Sequence, residues 1–145
     1  MDINHLPMKP PKTLRQQYIY IDESPNKGRG VFAAKAFRKG EVIETAPVIV
    51  LSNDSMGLLD YTELYNYYFL WGNDQSQCAI ALGFGSIYNH SYQPNARYNT
   101  YYREQIIEFV CIENIAPGEE ILVNYNGEPD DQSLVWFDKV KKSLS

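Results

Sequence analysis

The amino-acid sequence predicts one small, mostly β domain, and three observations support this prediction. Short runs rich in β-branched and aromatic residues recur along the chain, and turn residues such as Gly, Pro and Asn separate them. Only two stretches have a helical pattern, one near residues 60–65 and one at the C-terminus. A length of 145 residues is enough for one domain with one hydrophobic core.

The first half of the chain is expected to contain an arm followed by strands and turns. Strands are expected at residues 18–21, 31–36 and 42–51. An extended arm at residues 1–17 precedes them, and a turn at 24–30 joins the first two. Pro47 is expected to interrupt the third strand at an edge or bulge, because proline cannot donate a ladder hydrogen bond. Residues 53–59 are expected to form a loop.

The second half is expected to contain one short internal helix, four strands and a C-terminal helix. The strands are expected at residues 78–82, 96–102, 105–112 and 121–125. The spacing at residues 60–63 matches a capping box, which opens the short helix. An aromatic run at residues 65–71 follows, and the twelve Tyr of the chain are expected mainly to fill the core. Residues 133–144 carry an apolar face and C-terminal lysines, which predict a helix.

Composition narrows the classes of function. The formal net charge of −5 disfavours direct nucleic-acid binding and suits a basic, lysine-rich partner. No apolar run approaches the roughly 18 residues of a membrane span, and the N-terminus lacks a signal-type apolar core. Cys78 and Cys111 are far apart, so neither a disulfide framework nor a zinc site is expected. The expected compartment is therefore reducing and cytoplasmic, with the nucleus or delivery into a host cell left open.

Three stretches carry the strongest functional signal. Residues 85–95 read Gly-Ser-Ile-Tyr-Asn-His-Ser-Tyr-Gln-Pro-Asn, which by itself is typical of a polar loop. Gly-Arg-Gly at residues 28–30 lies upstream, and Glu-Glu-Ile-Leu-Val-Asn-Tyr at residues 119–125 lies downstream. In this order the three stretches resemble the SET-domain protein-lysine methyltransferases. The signatures of that family are Gly-x-Gly, Asn-His-Ser-x-x-Pro-Asn and a closing Glu-Leu-x-x-Asp-Tyr.

The resemblance covers residues 18–127 and implies a fold for them. That fold is a mostly β, β-clip-like arrangement of small sheets, in which the central motif tucks under the closing strand in a knot-like crossing. Relatives continue into a Cys-rich tail that closes the lysine channel with zinc, and no such tail follows Tyr125. Residues 128–145 are therefore expected to close the site, and no metal is expected.

The resemblance also implies a cofactor, S-adenosylmethionine, and residues that hold it. Tyr125 matches the catalytic tyrosine that sits beside the methyl group. The backbone of the Gly-x-Gly stretch and the Asn-His pair are implied to contact the cofactor, and Trp136 is a candidate lid over it. The expected cofactor-binding residues are thus Gly28, Arg29, Gly30, Asn89, His90, Tyr125 and Trp136.

The substrate channel is expected to be lined by Val123, Tyr88 and Phe137. Val123 stands where a Phe or Tyr often limits the number of methyl groups added, so a smaller side chain should leave more room. Asn124 replaces the usual Asp, which removes a charge that helps to hold neighbouring loops in relatives.

Methyl transfer to lysine requires a neutral amine held in line with a sulfonium methyl group, and positioned oxygens can supply that geometry. The sequence therefore predicts a compact SET-domain methyltransferase that acts on a lysine of a basic protein, with a homodimer left open. One alternative is a SET-fold interaction module with weak or no catalysis. Another is a thiol hydrolase that uses Cys78 or Cys111 with His90, which lacks the sequence context of an activated nucleophile.

Overall fold

The computed structural model describes residues 15–25 and 27–138, which form two small sheets. The strands are β1 (Ile19–Ser24), β2 (Gly28–Ala33), β3 (Val42–Leu51), β4 (Tyr68–Trp71), β5 (Gln77–Ala81), β6 (Asn89–His90), β7 (Ala96–Tyr101), β8 (Ile106–Cys111) and β9 (Glu120–Val123). One sheet has the order β1-β2-β9-β6, and the other has the order β4-β5-β3-β8-β7. The prediction of a mostly β fold is confirmed. None of the helices in the described ranges is long and apolar enough to cross a membrane.

The hairpin of β7 and β8 shows how the local pattern sets the core. Along β8, buried and half-buried residues alternate, which places Ile107, Phe109 and Cys111 on one inward face. Phe109 is fully buried, and the ring of Tyr88 stacks on it with 4.1 Å between centroids. The predicted hairpin at residues 96–102 and 105–112 is confirmed, with Ala96 opposite Cys111.

The central motif reaches the closing strand through a short parallel pairing. Asn89 pairs with Leu122 and His90 pairs with Val123. A two-residue parallel pairing is weak by itself. The side chain of Asn95 reinforces it, because Asn95 Nδ2 donates to the carbonyl of Glu120 at 2.8 Å and Asn95 Oδ1 accepts from the backbone N–H of Leu122 at 2.8 Å. The expected contact between the motif and the closing strand is therefore present.

The turn expected at residues 24–30 is shorter, and that prediction is wrong in its second half. Strand β2 begins at Gly28, which has a φ of +75° and pairs with Ser24 across the turn. Gly30 lies inside the strand and is buried. A Cβ at Gly30 would collide with the side chains of Glu120 and Asn89. Glycine is needed at this position because of close packing rather than a turn conformation.

Residues 53–59, expected to be a loop, form helix α1 (Asn53–Leu59). The hydroxyl of Ser52 caps it by accepting from the backbone N–H of Ser55 at 3.3 Å. None of its residues is buried, so the apolar periodicity that identifies most helices is missing. The short internal helix is confirmed as a 3-10 helix at Glu63–Asn66, although Thr62 rather than Asp60 provides its cap.

Strand β3 runs without a break through Pro47, so the expected interruption there is wrong. The irregularity lies instead between Val42 and Glu44. Pro47 occupies the position where the strand changes partners, since residues up to Pro47 pair with β8 and those from Val48 onward pair with β5. Its missing N–H is tolerated at this changeover.

Both ends of the chain are described only in part. Residues 1–14 of the predicted arm lie outside the described ranges. Its last residues are attached to the domain, because Arg15 forms a bridge with Tyr20 and the amide of Gln16 donates to Glu44 at 2.7 Å. The helix predicted at residues 133–144 begins later than expected, because residues 133–135 are not helical and residues 136–138 are. Residues 139–144 lie outside the described ranges.

Replacing Gly30 by Ala should lower the free energy of unfolding by about 1–3 kcal/mol, because the new methyl group overpacks the contact with Glu120 and Asn89. Urea denaturation measures the change. The matched control is Gly57→Ala in helix α1, where a Cβ meets no atom within 4 Å. That variant should be neutral or up to about 1 kcal/mol more stable. Equal stabilities for the two variants would contradict the packing explanation.

Candidate active site

Tyr125 lies two residues after the end of β9 and is held at three points. Its hydroxyl donates to the backbone carbonyl of Tyr88 at 2.6 Å, and its N–H donates to His90 Nδ1 at 2.9 Å. Its own carbonyl accepts from the hydroxyl of Tyr98 at 3.2 Å. Burial, followed by the nearby Tyr67 and Glu120, raises the pKa of Tyr125 above its ordinary value. The phenol therefore stays protonated at neutral pH and keeps a fixed direction.

His90 is a buried hydrogen-bond acceptor for the backbone of Tyr125. Because Nδ1 accepts from the N–H of Tyr125, the neutral ring carries its proton on Nε2. Burial lowers the pKa of His90, which favours this neutral form. Nε2 has no hydrogen-bond partner among the described residues, and the ring packs edge-on to Tyr92. This arrangement gives His90 a structural task, and it leaves no free acceptor nitrogen for a general base.

The expected cofactor-binding stretches meet on one side of Tyr125. Asn89 Nδ2 donates to the carbonyl of Arg29 at 3.0 Å and to Glu120 Oε2 at 2.8 Å. The ammonium group of Lys27 donates to the carbonyl of His90 at 3.1 Å. These contacts join residues 27–30 to the Asn-His pair across sequence separations of 60 and 63 positions. Glu120 and Lys27 were missed by the sequence analysis, although Glu120 lies within the third motif.

An open groove of about 970 Å³ lies on the other side of Tyr125. Ten of the 22 residues in its wall are aromatic, and they include Tyr65, Tyr67, Tyr68, Phe69, Tyr98, Tyr101 and Tyr102. Tyr65 and Tyr67 are 40% and 44% exposed, so the expectation that the tyrosines mainly fill the core is wrong for them. The run of aromatic residues at 65–71 was the signal in the sequence. Tyrosine combines a flat apolar surface with a polar tip, which suits a site that holds an alkyl chain.

Two residues that were expected in the channel form part of the wall of this groove, and both are buried. Val123 is 1% exposed and Tyr88 is 2% exposed. The ring and hydroxyl of Tyr88 point into the core, where the hydroxyl donates to Glu44 Oε1 at 2.9 Å. Tyr88 therefore acts on Tyr125 through its backbone carbonyl rather than through its side chain.

Trp136 and Phe137 both lie beside Tyr125, and their rings pack edge-on to each other with 5.2 Å between centroids. The ring of Trp136 is nearly parallel to that of Tyr125, with centroids 5.6 Å apart, and it lines the groove. Its Nε1 donates to Asn66 Oδ1 at 3.1 Å. Phe137 instead packs edge-on to His90, with centroids 5.9 Å apart. Trp136 was expected over the cofactor and Phe137 in the channel, whereas Trp136 is the one of the two that lines the groove.

Residues 28–126, more than half of the chain, match the family model of the SET domain. The chain belongs to the SET domain family. Over 128 residues it is 29% identical to the histone-lysine N-methyltransferase, H3 lysine-37 specific, of Schizosaccharomyces pombe. That match covers 88% of this chain and 82% of the yeast protein.

Solved structures show the same fold. A Plasmodium falciparum protein described as a histone methyltransferase is similar with a TM-score of 0.63 and 26% identity, over 85% of this chain and 99% of that chain. The Chaetomium thermophilum polycomb repressive complex 2, in an autoinhibited conformation bound to S-adenosylmethionine, is similar with a TM-score of 0.65 and 22% identity. That match covers 87% of this chain and 17% of the larger one, and it concerns the fold alone.

The SET domain holds its C-terminal segment through Tyr92. The hydroxyl of Tyr92 donates to Asp138 at 2.8 Å and accepts from the backbone N–H of Val135 at 3.1 Å. Its carbonyl accepts from the amide of Gln132 at 3.2 Å. Tyr92 lies two residues after His90, so the central motif also positions the segment that carries Trp136. Sequence reasoning did not identify this role, which no local pattern indicates.

Asn124 holds the loop that follows Tyr125 without a charge. It is buried, and its Nδ2 donates to the carbonyls of Asp131 at 2.6 Å and Pro129 at 3.3 Å. Its Oδ1 accepts from the N–H of Asn126 at 3.0 Å. The amide donor is essential to this arrangement, because an ionised carboxylate could not donate to two carbonyl oxygens. Loss of the family's Asp therefore does not release the loop.

Metal and thiol chemistry find no support in the described part of the chain. No group of three or more His, Cys, Asp or Glu in residues 15–25 and 27–138 could hold a metal ion. Cys78 and Cys111 are both buried, and burial raises the pKa of Cys111 to about 11. A thiol with a raised pKa is a poor nucleophile, and His90 Nδ1 is already bound. The thiol-hydrolase alternative is therefore disfavoured.

Replacing Asn124 by Asp should lower the free energy of unfolding by about 1–3 kcal/mol at neutral pH, because two part-buried carbonyls lose their donor and face a carboxylate. Denaturant unfolding measures this change. Asn114→Asp is the matched control, since Asn114 Oδ1 only accepts from the N–H of Lys39 and an aspartate keeps that acceptor. Similar stability for Asn124→Asp and the native chain would exclude the donor role.

Proposed function

We propose that this SET domain transfers the methyl group of S-adenosylmethionine to the side-chain amine of a lysine in a protein substrate. The observation that carries the proposal is the position of Tyr125. Its hydroxyl is fixed by the Tyr88 carbonyl between an aromatic groove and the paired stretches at residues 28–30 and 89–90. Family membership and the yeast histone-lysine N-methyltransferase support the same enzyme class.

The residues on the His90 side of Tyr125 fit S-adenosylmethionine. Asn89 Nδ2 is fully used by Arg29 and Glu120, and no described residue donates to Asn89 Oδ1. That oxygen and the Glu120 carboxylate suit an ammonium group such as the one on the methionine part of the cofactor. The backbone of residues 28–30, Asn89 and His90 would hold the molecule, with Phe137 beside them. When bound, S-adenosylmethionine supplies a methyl group carried by a positively charged sulfur.

The groove on the other side suits the lysine. A free lysine amine has a pKa of about 10.4, so transfer requires loss of a proton. Aromatic rings that displace water from around an amine lower its pKa by desolvation, and the charge of a neighbouring sulfonium acts in the same direction. The carbonyl of Tyr88 and the hydroxyl of Tyr125 are oxygens with fixed directions that orient the amine.

We further propose that the substrate is a basic protein of the histone type. The net charge of −5 favours a lysine-rich partner, and the yeast relative is named for its action on histone H3. Trp136 of the same chain already covers the groove next to Tyr125, so a second subunit is not needed to supply that ring. No observation favours the alternative of an interaction module without catalysis.

Replacing Tyr125 by Phe should leave the dissociation constant for S-adenosylmethionine within a few-fold and lower methyl transfer by roughly two to four decades, the effect of losing one positioned hydroxyl. Transfer of labelled methyl groups to core histones and calorimetric binding measure the two quantities. Tyr61→Phe is the control, because Tyr61 is 92% exposed and lies outside the groove. Normal turnover of Tyr125→Phe would remove Tyr125 from the mechanism.

Trp136→Ala and Phe137→Ala should distinguish the residue that contacts the protein substrate from the residue that contacts the cofactor. Trp136→Ala should raise the KM for the protein substrate by about one to two decades, the value of one large buried ring, with little change in cofactor affinity. Phe137→Ala should weaken cofactor binding instead, because Phe137 packs on His90. Steady-state kinetics and calorimetry on both variants test the assignment. The opposite pattern would restore the original roles.

A further inference from the structure

A buried carboxylate lies behind Tyr125 and has no part in the chemistry described above. Glu44 is on β3 and is 7% exposed. Oε1 accepts from the hydroxyl of Tyr88 at 2.9 Å, and Oε2 accepts from the N–H of Phe84 at 2.9 Å and the amide of Gln16 at 2.7 Å. No Lys or Arg in residues 15–25 and 27–138 forms an ion pair with it. A buried carboxylate is unfavourable without a cation, so its three neutral donors call for an explanation.

Glu44 holds both ends of the segment that leads to Tyr88. The turn after β5 folds round the carboxylate, because the N–H of Phe84 binds Oε2 and Gly83 passes so close that a Cβ would lie 2.5 Å from Oε2. At the other end of the segment, Oε1 holds the hydroxyl of Tyr88. The ring of Tyr88 is also stacked on Phe109. Tyr88 is therefore fixed at its hydroxyl, at its ring and through the preceding turn.

The fixed part of Tyr88 that faces the active site is its carbonyl. That oxygen accepts the hydroxyl of Tyr125 at 2.6 Å, which is a short contact with a strong directional preference. A phenolic O–H prefers to lie in the plane of its ring, and a hydrogen-bond acceptor selects the way it points. The direction of the Tyr125 hydroxyl therefore depends on where the Tyr88 carbonyl lies, and that position depends on Glu44.

We propose that Glu44 is a positioning residue for methyl transfer, which holds Tyr88 so that its carbonyl orients the hydroxyl of Tyr125. The inference rests on the proposed function, since the reaction it serves is the transfer at Tyr125. It assigns no contact with substrate or cofactor to Glu44.

The variants Glu44→Ala and Glu44→Gln test the proposal together. Glu44→Ala removes the acceptors for Tyr88 and Phe84, and it should lower kcat by roughly ten- to a hundred-fold, as expected for misplacement of a reacting group. KM and the cofactor dissociation constant should stay within about three-fold. In Glu44→Gln the amide oxygen can accept from Phe84 while the amide N–H donates to the Tyr88 hydroxyl. This conservative variant should recover most of the activity.

The same substitution in the Tyr125→Phe variant distinguishes a positioning role of Glu44 from a general loss of stability. In Tyr125→Phe the hydroxyl that Glu44 positions is absent, so adding Glu44→Ala should cause no further fall in kcat. A purely structural role would lower kcat by the same factor in both backgrounds, and that result would overturn the proposal. The control is Glu41→Ala, which removes a half-exposed carboxylate paired with Lys35 near the start of the same strand. It should leave kcat unchanged.

NMR of labelled tyrosine reports on the Tyr125 hydroxyl without requiring enzyme turnover. With tyrosine labelled by 13C at Cζ, the Tyr125 signal is identified by its absence in Tyr125→Phe. It should shift or broaden in Glu44→Ala and in Tyr88→Phe, and it should return towards its native position in Glu44→Gln. If Glu44→Ala fails to fold, Tyr88→Phe decides the question, since it keeps the ring that stacks on Phe109. A Tyr88→Phe variant with a native Tyr125 signal would contradict the proposal.

The two proposals fail in different ways. If the native chain transfers no methyl group to core histones or to any protein of a cell extract, the proposed function is wrong, while the Tyr125 signal still reports the coupling. If the native chain is active and Glu44→Ala retains kcat within about two-fold, the positioning role is wrong and the function stands.

Discussion

The structure depends on a parallel pairing of only two residues on each side, between Asn89–His90 and Leu122–Val123. Such a pairing is too short to persist through backbone hydrogen bonds alone. Side chains from the same motif complete it, because Asn95 binds the closing strand through both ends of its amide and His90 accepts the N–H of Tyr125. The polar residues of the motif therefore hold the junction together. The position of Tyr125 follows from that junction, because His90 of the motif binds its N–H.

Two buried or part-buried carboxylates organise the segments around the junction with neutral donors. Glu120 accepts from the hydroxyl of Ser24 at 2.6 Å and from Asn89, which ties β1 and the motif to β9. Glu44 does the same for the turn before the motif. In both places an acceptor with several lone pairs joins segments that are distant from each other along the chain. The close approach of Gly30 to Glu120 and of Gly83 to Glu44 shows how little room these contacts leave.

Tyr125 separates two surfaces of different chemistry. The side of residues 28–30 and 89–90 presents backbone and amide oxygens, whereas the side of the groove presents tyrosine rings. Methyl transfer needs this division, because a charged donor and an uncharged amine have to approach one point from different directions. The C-terminal segment serves both surfaces, with Trp136 in the groove and Phe137 on His90. Tyr92 makes that possible by binding the segment at three points.

The sequence by itself determined the mostly β class, the hairpin of residues 96–102 and 105–112, the three ordered motifs and the choice of Tyr125 as the candidate catalytic residue. These features depend on alternation, turn residues and side-chain types that act over a few positions. Only the tertiary structure decided the rest. Helix α1 has no buried residues, so its sequence has no periodic apolar pattern. The need for glycine at position 30 comes from the close approach of Glu120, which is distant along the chain. Trp136 and Phe137 are adjacent residues, and the direction in which each ring points depends on how Tyr92 anchors the backbone. Contacts of this kind depend on register and packing between distant segments, which no local pattern contains.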